Sequence, residues 1–137
     1  AEEALKELAV YAADKMTYVL IPHWITQERW YYTSNASTMR EAAALAEQAK
    51  WEEAIIKWES FYNNSKKKID QAKASSNIAL GYEMLDDMEK AYEWVLIAEK
   101  LFEEATSSKS LERRRVLIYK QELERRLASF KSLDMQQ

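Results

Sequence analysis

The sequence predicts an all-α domain, and three observations support this class. The 137 residues include one glycine and one proline, so the predicted helix interiors are almost free of residues that break helices. Apolar residues recur every three or four positions along nearly the whole chain, which is the period of an amphipathic helix. A shift of 37 residues brings two pairs of these segments into register. The length suits one domain, predicted over residues 1–137.

Residues 1–35 are predicted to form an N-terminal helix followed by an aromatic connector. The apolar stripe of this helix consists of Leu5, Leu8, Ala12, Met16 and Val19. It stops at Ile21 because the residue before a proline avoids the helical conformation. The chain begins AEEALKEL, without methionine, and we expect it to be a piece of a longer protein.

Two helix pairs follow, as a first repeat over residues 36–65 and a second over 66–107. Thr38 with Glu41, and Asp86 with Glu89, have the spacing of a capping box at a helix start. The polar stretches NNS and TSSKS are expected to end the helices that precede them. A C-terminal capping helix is predicted over 108–137. The short connections require neighbouring helices to lie antiparallel.

The 37-residue shift superimposes small, aromatic and acidic positions of the two repeats. The coinciding pairs are Ala42 with Ala79, Leu45 with Tyr82, Glu52 with Glu89 and Ala54 with Ala91. In the stretch ASSNIALGYEMLDDMEKAYEWVLIAEKLFEEA, the residues Ala79, Tyr82, Ala91 and Ala98 follow a small–aromatic–small–small pattern. This pattern resembles the tetratricopeptide repeat, and STMREAAALAEQAKWEEAIIKWESFY is a weaker copy of it. The resemblance implies antiparallel helix pairs stacked as a short right-handed superhelix of about six helices.

In the tetratricopeptide family, the first helix of each pair lines a concave groove that binds extended or helical peptides. The resemblance therefore implies an interaction module for a protein or peptide partner. The implied partner-binding side chains are Arg40, Lys73, Asn77, Leu80, Met84 and Arg114. A structural or oligomerising segment, associating through the last helix or the edge formed by Trp94, Ile97 and Leu101, is the alternative.

The stretch before the first repeat collects rare residues into an aromatic corner. Its members are His23, Trp24, Trp30, Tyr31 and Tyr32. We interpret Trp24, Trp30 and Tyr31 as large apolar side chains packed between the first helix and the first repeat, with Arg29 paired or stacked beside them. The alternative is that the aromatic rings of this corner bind a ligand such as carbohydrate. The patterns P-x-W and R-x-Y-Y at this corner resemble the repeat-bearing C-terminal parts of uncharacterised bacterial cell-envelope proteins. That resemblance implies a cell-envelope or secreted location.

The composition gives little support to catalysis or metal binding. One histidine and no cysteine cannot form a His/Cys metal cluster or a Cys–His pair. One glycine cannot form a glycine-rich phosphate loop. We therefore expect no enzyme activity, no catalytic residue, no metal and no cofactor.

The charge pattern bears on nucleic-acid binding, and the hydropathy bears on membrane insertion. A net charge of −3, with arginines and glutamates interleaved in the last helix, argues against a nucleic-acid partner. No apolar run approaches the roughly 20 residues of a transmembrane helix.

Overall fold

The computed structural model describes the backbone of residues 7–12, 18–22 and 29–136, and the side chains of residues 29–129. Within these ranges three β-strands precede five α-helices. The strands are β1 (Glu7–Ala12), β2 (Tyr18–Pro22) and β3 (Arg29–Tyr31), and the helices are α1 (Ser37–Glu47), α2 (Trp51–Asn64), α3 (Lys68–Met84), α4 (Met88–Ala105) and α5 (Leu111–Gln136). The predicted helical class is confirmed over residues 37–136, and the predicted count of about six helices is wrong.

The segment predicted as the first helix forms part of a three-stranded sheet with the order β2-β1-β3. Strand β1 pairs antiparallel with β2 and parallel with β3, placing Val10 opposite Val19 and Tyr11 opposite Trp30. The sequences AVY and YVLI are rich in β-branched and aromatic residues, which fit strands. A proline is tolerated at the end of an edge strand, so Pro22 suits β2 as well as it suits a helix terminus.

Helices α2 and α4 end at the polar stretches NNS and TSSKS, as predicted, but the predicted capping pairs do not agree with the structure. Helix α1 follows Ala36 and has no side-chain cap, so the cap expected from Thr38 is wrong. Helix α4 is capped by Asp87, whose carboxylate accepts a hydrogen bond from the Lys90 amide at 3.2 Å. The cap therefore lies one residue beyond the predicted Asp86, because Asp86 belongs to the turn itself.

The turns between α1 and α2 and between α3 and α4 have the same backbone geometry, 37 residues apart. Ala49 has φ 58° and Asp86 has φ 61°, both in the left-handed region. Three hydrogen bonds recur with every partner displaced by 37 residues: Gln48 to Leu45, Ala49 to Ala46 and Lys50 to Leu45 in the first turn, and Leu85 to Tyr82, Asp86 to Glu83 and Asp87 to Tyr82 in the second. The last two bonds of each set form the Schellman motif that ends a helix. The 37-residue period of the sequence is therefore also a period of local structure.

Helix α3 is the central element of the helical part. It packs against α2, α4 and β3, and every residue from Ala74 to Gly81 is buried. Gly81 makes the approach to α2 possible, since a Cβ atom added there would lie 2.4 Å from Ile55 Cγ1. The chain's one glycine thus stands where two helices come closest, and not at a turn.

Candidate functional site

The segment formed by residues 29–32 lies against α3, and Asn77 holds its backbone. The side-chain Nδ2 of Asn77 donates to the Tyr32 carbonyl at 2.7 Å, and its Oδ1 accepts from the Tyr32 amide at 2.7 Å. Asn77 is fully buried. One side chain therefore satisfies both backbone groups of a buried residue, as a neighbouring strand would.

Glu83 is the centre of a buried charged network. Arg29 donates from Nε to Oε1 at 2.7 Å and from Nη2 to Oε2 at 2.8 Å. Tyr119 donates its hydroxyl to Oε1 at 2.8 Å, and Arg126 donates Nη1 to Oε2 at 2.5 Å. Each carboxylate oxygen of Glu83 accepts two of these hydrogen bonds. The network joins β3, α3 and α5 at one point.

The environment of Glu83 favours its ionised form. Burial alone would raise the pKa of this carboxyl group. The hydrogen bonds and charge of Arg29, together with Tyr119 and Arg126, outweigh burial and hold the pKa below its ordinary value of 4.5. Glu83 is therefore a buried carboxylate that remains charged, which suits a structural ion pair better than a proton-transfer group.

Two tyrosines of the aromatic corner extend into the helical core. The Tyr31 ring lies 6.1 Å from the Trp58 ring, and the Tyr32 ring lies 5.9 Å from the Phe102 ring. Burial and the charge of Glu47 raise the pKa of Tyr31 to about 12. Both tyrosines are buried.

The residues implied as a partner-binding groove are found in three different environments. Asn77 and Leu80 are fully buried, so neither is accessible to an outside molecule in this structure. Lys73 is half-buried, with Nζ 5.6 Å from the centre of the Tyr32 ring. Arg40 and Arg114 are exposed, and Met84 is half-buried. The structure therefore brings Lys73 and Asn77 to β3, where the chain's own segment 29–32 lies.

Two residues of the aromatic corner are not described by the structure, and two residues of the charged network were not indicated by the sequence. His23 and Trp24 lie outside the described residues. Tyr119 and Arg126, seven positions apart on α5, bind Glu83. Tyr119 lies on the apolar stripe predicted for the last helix, and Arg126 lies among alternating charges, so neither position indicates a contact with a buried carboxylate.

A pocket of about 280 Å³ lies between β3 and α5. Its lining side chains are Arg29 and Trp30 from β3, and Leu111, Arg115, Ile118, Tyr119 and Glu122 from α5. The Arg115 guanidinium lies 4.5 Å from the centre of the Trp30 ring, a cation–π distance. The walls are mainly apolar, with charged groups among them.

Comparison with known families divides the chain at the junction between the sheet and the helices. Residues 40–125 match the model of a family described as a domain of unknown function, DUF6340. The chain belongs to the DUF6340 family. Residues 1–32 of this DUF6340 chain match a second domain of unknown function, DUF8603. No curated protein and no solved structure matches the chain.

Two features are absent from the described residues. Among the helices described for this DUF6340 chain, none is both long and apolar enough to cross a membrane. No cluster of three or more potential metal-ligating side chains occurs within the same part of the chain.

Proposed function

We propose that the helical part is a non-catalytic protein-interaction module, with its helix pairs stacked as a tetratricopeptide-like right-handed superhelix. The observation that supports this proposal is the way α3 holds the segment 29–32. Asn77 binds the Tyr32 backbone and Glu83 binds the Arg29 side chain. Hydrogen bonds to the main chain, with selected side chains bound beside them, are how proteins recognise extended peptides.

In this proposal the groove is already occupied in its centre by the chain's own segment. An outside protein or peptide then binds the exposed positions on either side, which include Arg40 on α1 and Arg114 on α5. Two exposed guanidinium groups favour a partner segment that carries carboxylates. The module thereby connects the N-terminal sheet to a partner bound along the helices.

Site-specific photo-crosslinking tests this arrangement. A photoreactive amino acid is placed at Arg40, at Arg114, or at the exposed control position Lys100 on α4. We expect positions 40 and 114 to capture the same partner and position 100 not to capture it. The charge reversals Arg40→Glu and Arg114→Glu should reduce capture, while Lys100→Glu leaves it unchanged. Equal capture from all three positions, or capture unaffected by the reversals, would contradict the groove assignment.

Self-association through α4 is a second candidate function. Leu96 is 40% exposed and Ile97 is 37% exposed, on a helix whose other apolar residues are largely buried. Of the edge expected from the sequence, Trp94 is half-buried and packs edge-on against Tyr62 at 5.4 Å. Sedimentation over a concentration series, with Ile97→Lys as the variant, distinguishes a monomer from a dimer formed through this face.

A further inference from the structure

The pocket between β3 and α5 has the size of a site for a small molecule. Its volume is about 280 Å³, just below the range of roughly 300–1,000 Å³ that small-molecule sites occupy. A molecule with one ring and a short chain suits this volume better than a dinucleotide or a lipid. Trp30, Tyr119 and Ile118 supply apolar and aromatic surface for such a ring.

One cation at the pocket is available to an anionic group. The Arg29 guanidinium is bound to the Glu83 carboxylate through two hydrogen bonds. Arg115 has no carboxylate within ion-pair distance among the described side chains. Its guanidinium lies against the Trp30 ring, and a stacked guanidinium keeps the N–H groups at its edge free for a carboxylate.

Glu122 lies on the same face of α5 as Arg115, and one of its carboxylate oxygens has no hydrogen-bond donor among the described residues. Glu122 lines the pocket, and its Oε1 is paired with Arg125. Its Oε2 is buried and has no hydrogen-bond partner among the described residues. A buried acceptor without a donor costs free energy. Glu122 follows Arg115 by seven residues, so two turns and about 10 Å of helix axis separate the two groups.

We propose that this pocket binds a hydroxyaryl carboxylate. The ligand's carboxylate accepts hydrogen bonds from Arg115, and its ring lies between Trp30, Ile118 and Tyr119. Its hydroxyl group donates to Glu122 Oε2. This site is separate from the groove of the proposed interaction module, and neither Arg40 nor Arg114 takes part, so the two proposals succeed or fail independently.

Calorimetric titration of the full chain with three related compounds tests the ligand class. The probe is 3-(4-hydroxyphenyl)propanoate, 3-phenylpropanoate lacks its hydroxyl group, and tyramine lacks its carboxylate. We expect saturable binding of the probe and roughly tenfold or greater weakening for each of the other two, since each loses a hydrogen bond to a charged group. Absence of saturable probe binding would overturn the proposal, as would equal affinity for all three compounds.

Two matched pairs of variants test the location. Arg115→Gln should weaken probe binding roughly tenfold or more, while Arg114→Gln, exposed and outside the pocket lining, should not. Ile118→Glu should abolish binding, while Leu117→Glu should not. Ile118 is 57% exposed and Leu117 is 42% exposed, so neither substitution removes a buried core residue. Probe binding that survives both Arg115→Gln and Ile118→Glu would rule out this pocket.

Discussion

Helices α1 and α3 are the first helices of the two repeats and are followed by turns of the same backbone geometry, but their surroundings differ. Helix α1 buries Met39, Ala42 and Ala46, whereas α3 buries ten residues, including Asn77 and Glu83. A displacement of 37 residues places Asn77 on the exposed Arg40 and Glu83 on the buried Ala46. The backbone is therefore repeated while the chemistry is not: α3 carries two polar side chains that bind the segment 29–32, and α1 carries neither.

The largest effect is expected from Glu83→Ala, which makes this position of α3 equivalent to Ala46 of α1. It leaves Arg29 buried without its carboxylate, and breaking a buried ion pair costs about 3–5 kcal/mol. Urea denaturation measures the change in the free energy of unfolding. The exposed Glu47→Ala in α1 is the control and should change stability by less than about 0.5 kcal/mol. A loss below about 1 kcal/mol for Glu83→Ala would show that the network contributes little.

A smaller loss is expected when the wild-type protein is acidified. The pKa of Glu83 is lower in the folded than in the unfolded chain, so its contribution to stability is present above its ordinary value of 4.5. That contribution is lost as the pH falls from this value through the pKa of the folded state. Urea denaturation between pH 7 and pH 3 should therefore show a weaker acid dependence for Glu83→Gln than for wild type. Parallel pH profiles would contradict the assigned role.

Asn77→Ala tests the other polar contact of α3. It leaves the amide and carbonyl groups of Tyr32 without the two hydrogen bonds that Asn77 provides, at an expected cost of about 2 kcal/mol. Amide hydrogen exchange at Tyr32 should become faster. Arg40→Ala, at the equivalent exposed position of α1, should leave both quantities nearly unchanged. Unaltered exchange at Tyr32 would show that other contacts hold the segment.

The smallest effect is expected in the two turns, where the repeats are most alike. Ala49 adopts a left-handed backbone conformation with φ 58°, which is unfavourable for alanine and accessible to glycine. Ala49→Gly should raise stability by about 0.5 kcal/mol. Asp86→Gly should gain less, because aspartate tolerates this conformation better than alanine. Thermal denaturation of the two variants compares the turns directly. A lower melting temperature for Ala49→Gly would contradict this interpretation.

The helical part could be predicted from the sequence because its signals are local. Apolar spacing gave α1 to α5, and the polar stretches NNS and TSSKS marked where helices end. Strands β1 and β2 could not be predicted, because apolar runs of four to six residues fit both the helical and the strand period. Pairing of β1 with β2 and β3 makes these segments strands, and the apolar spacing within one segment does not show which segments pair.

Only part of the candidate site could be predicted from the sequence. The helical register placed Lys73 and Asn77 on a binding face of α3, but it did not show that residues 29–32 lie there. Contacts between residues far apart in the chain, such as Tyr32 with Asn77 at 45 positions, leave no periodic signal in a single sequence. The same limit explains Tyr119 and Arg126, which bind Glu83 from 36 and 43 positions away in the chain.

The joint between β3 and α3 has a consequence for the order of folding. Arg29 and Glu83 are 54 residues apart in the chain, whereas each helix turn is closed by bonds between residues at most five positions apart. Closing a long loop costs more entropy than closing a short one, so the helix hairpins are expected to form before β3 docks. Synthesis proceeds from the N-terminus, and β3 therefore leaves the ribosome before α3 exists. Arg29 and Tyr32 therefore cannot make their contacts with Glu83, Asn77 and Phe102 until the second helix pair has been made.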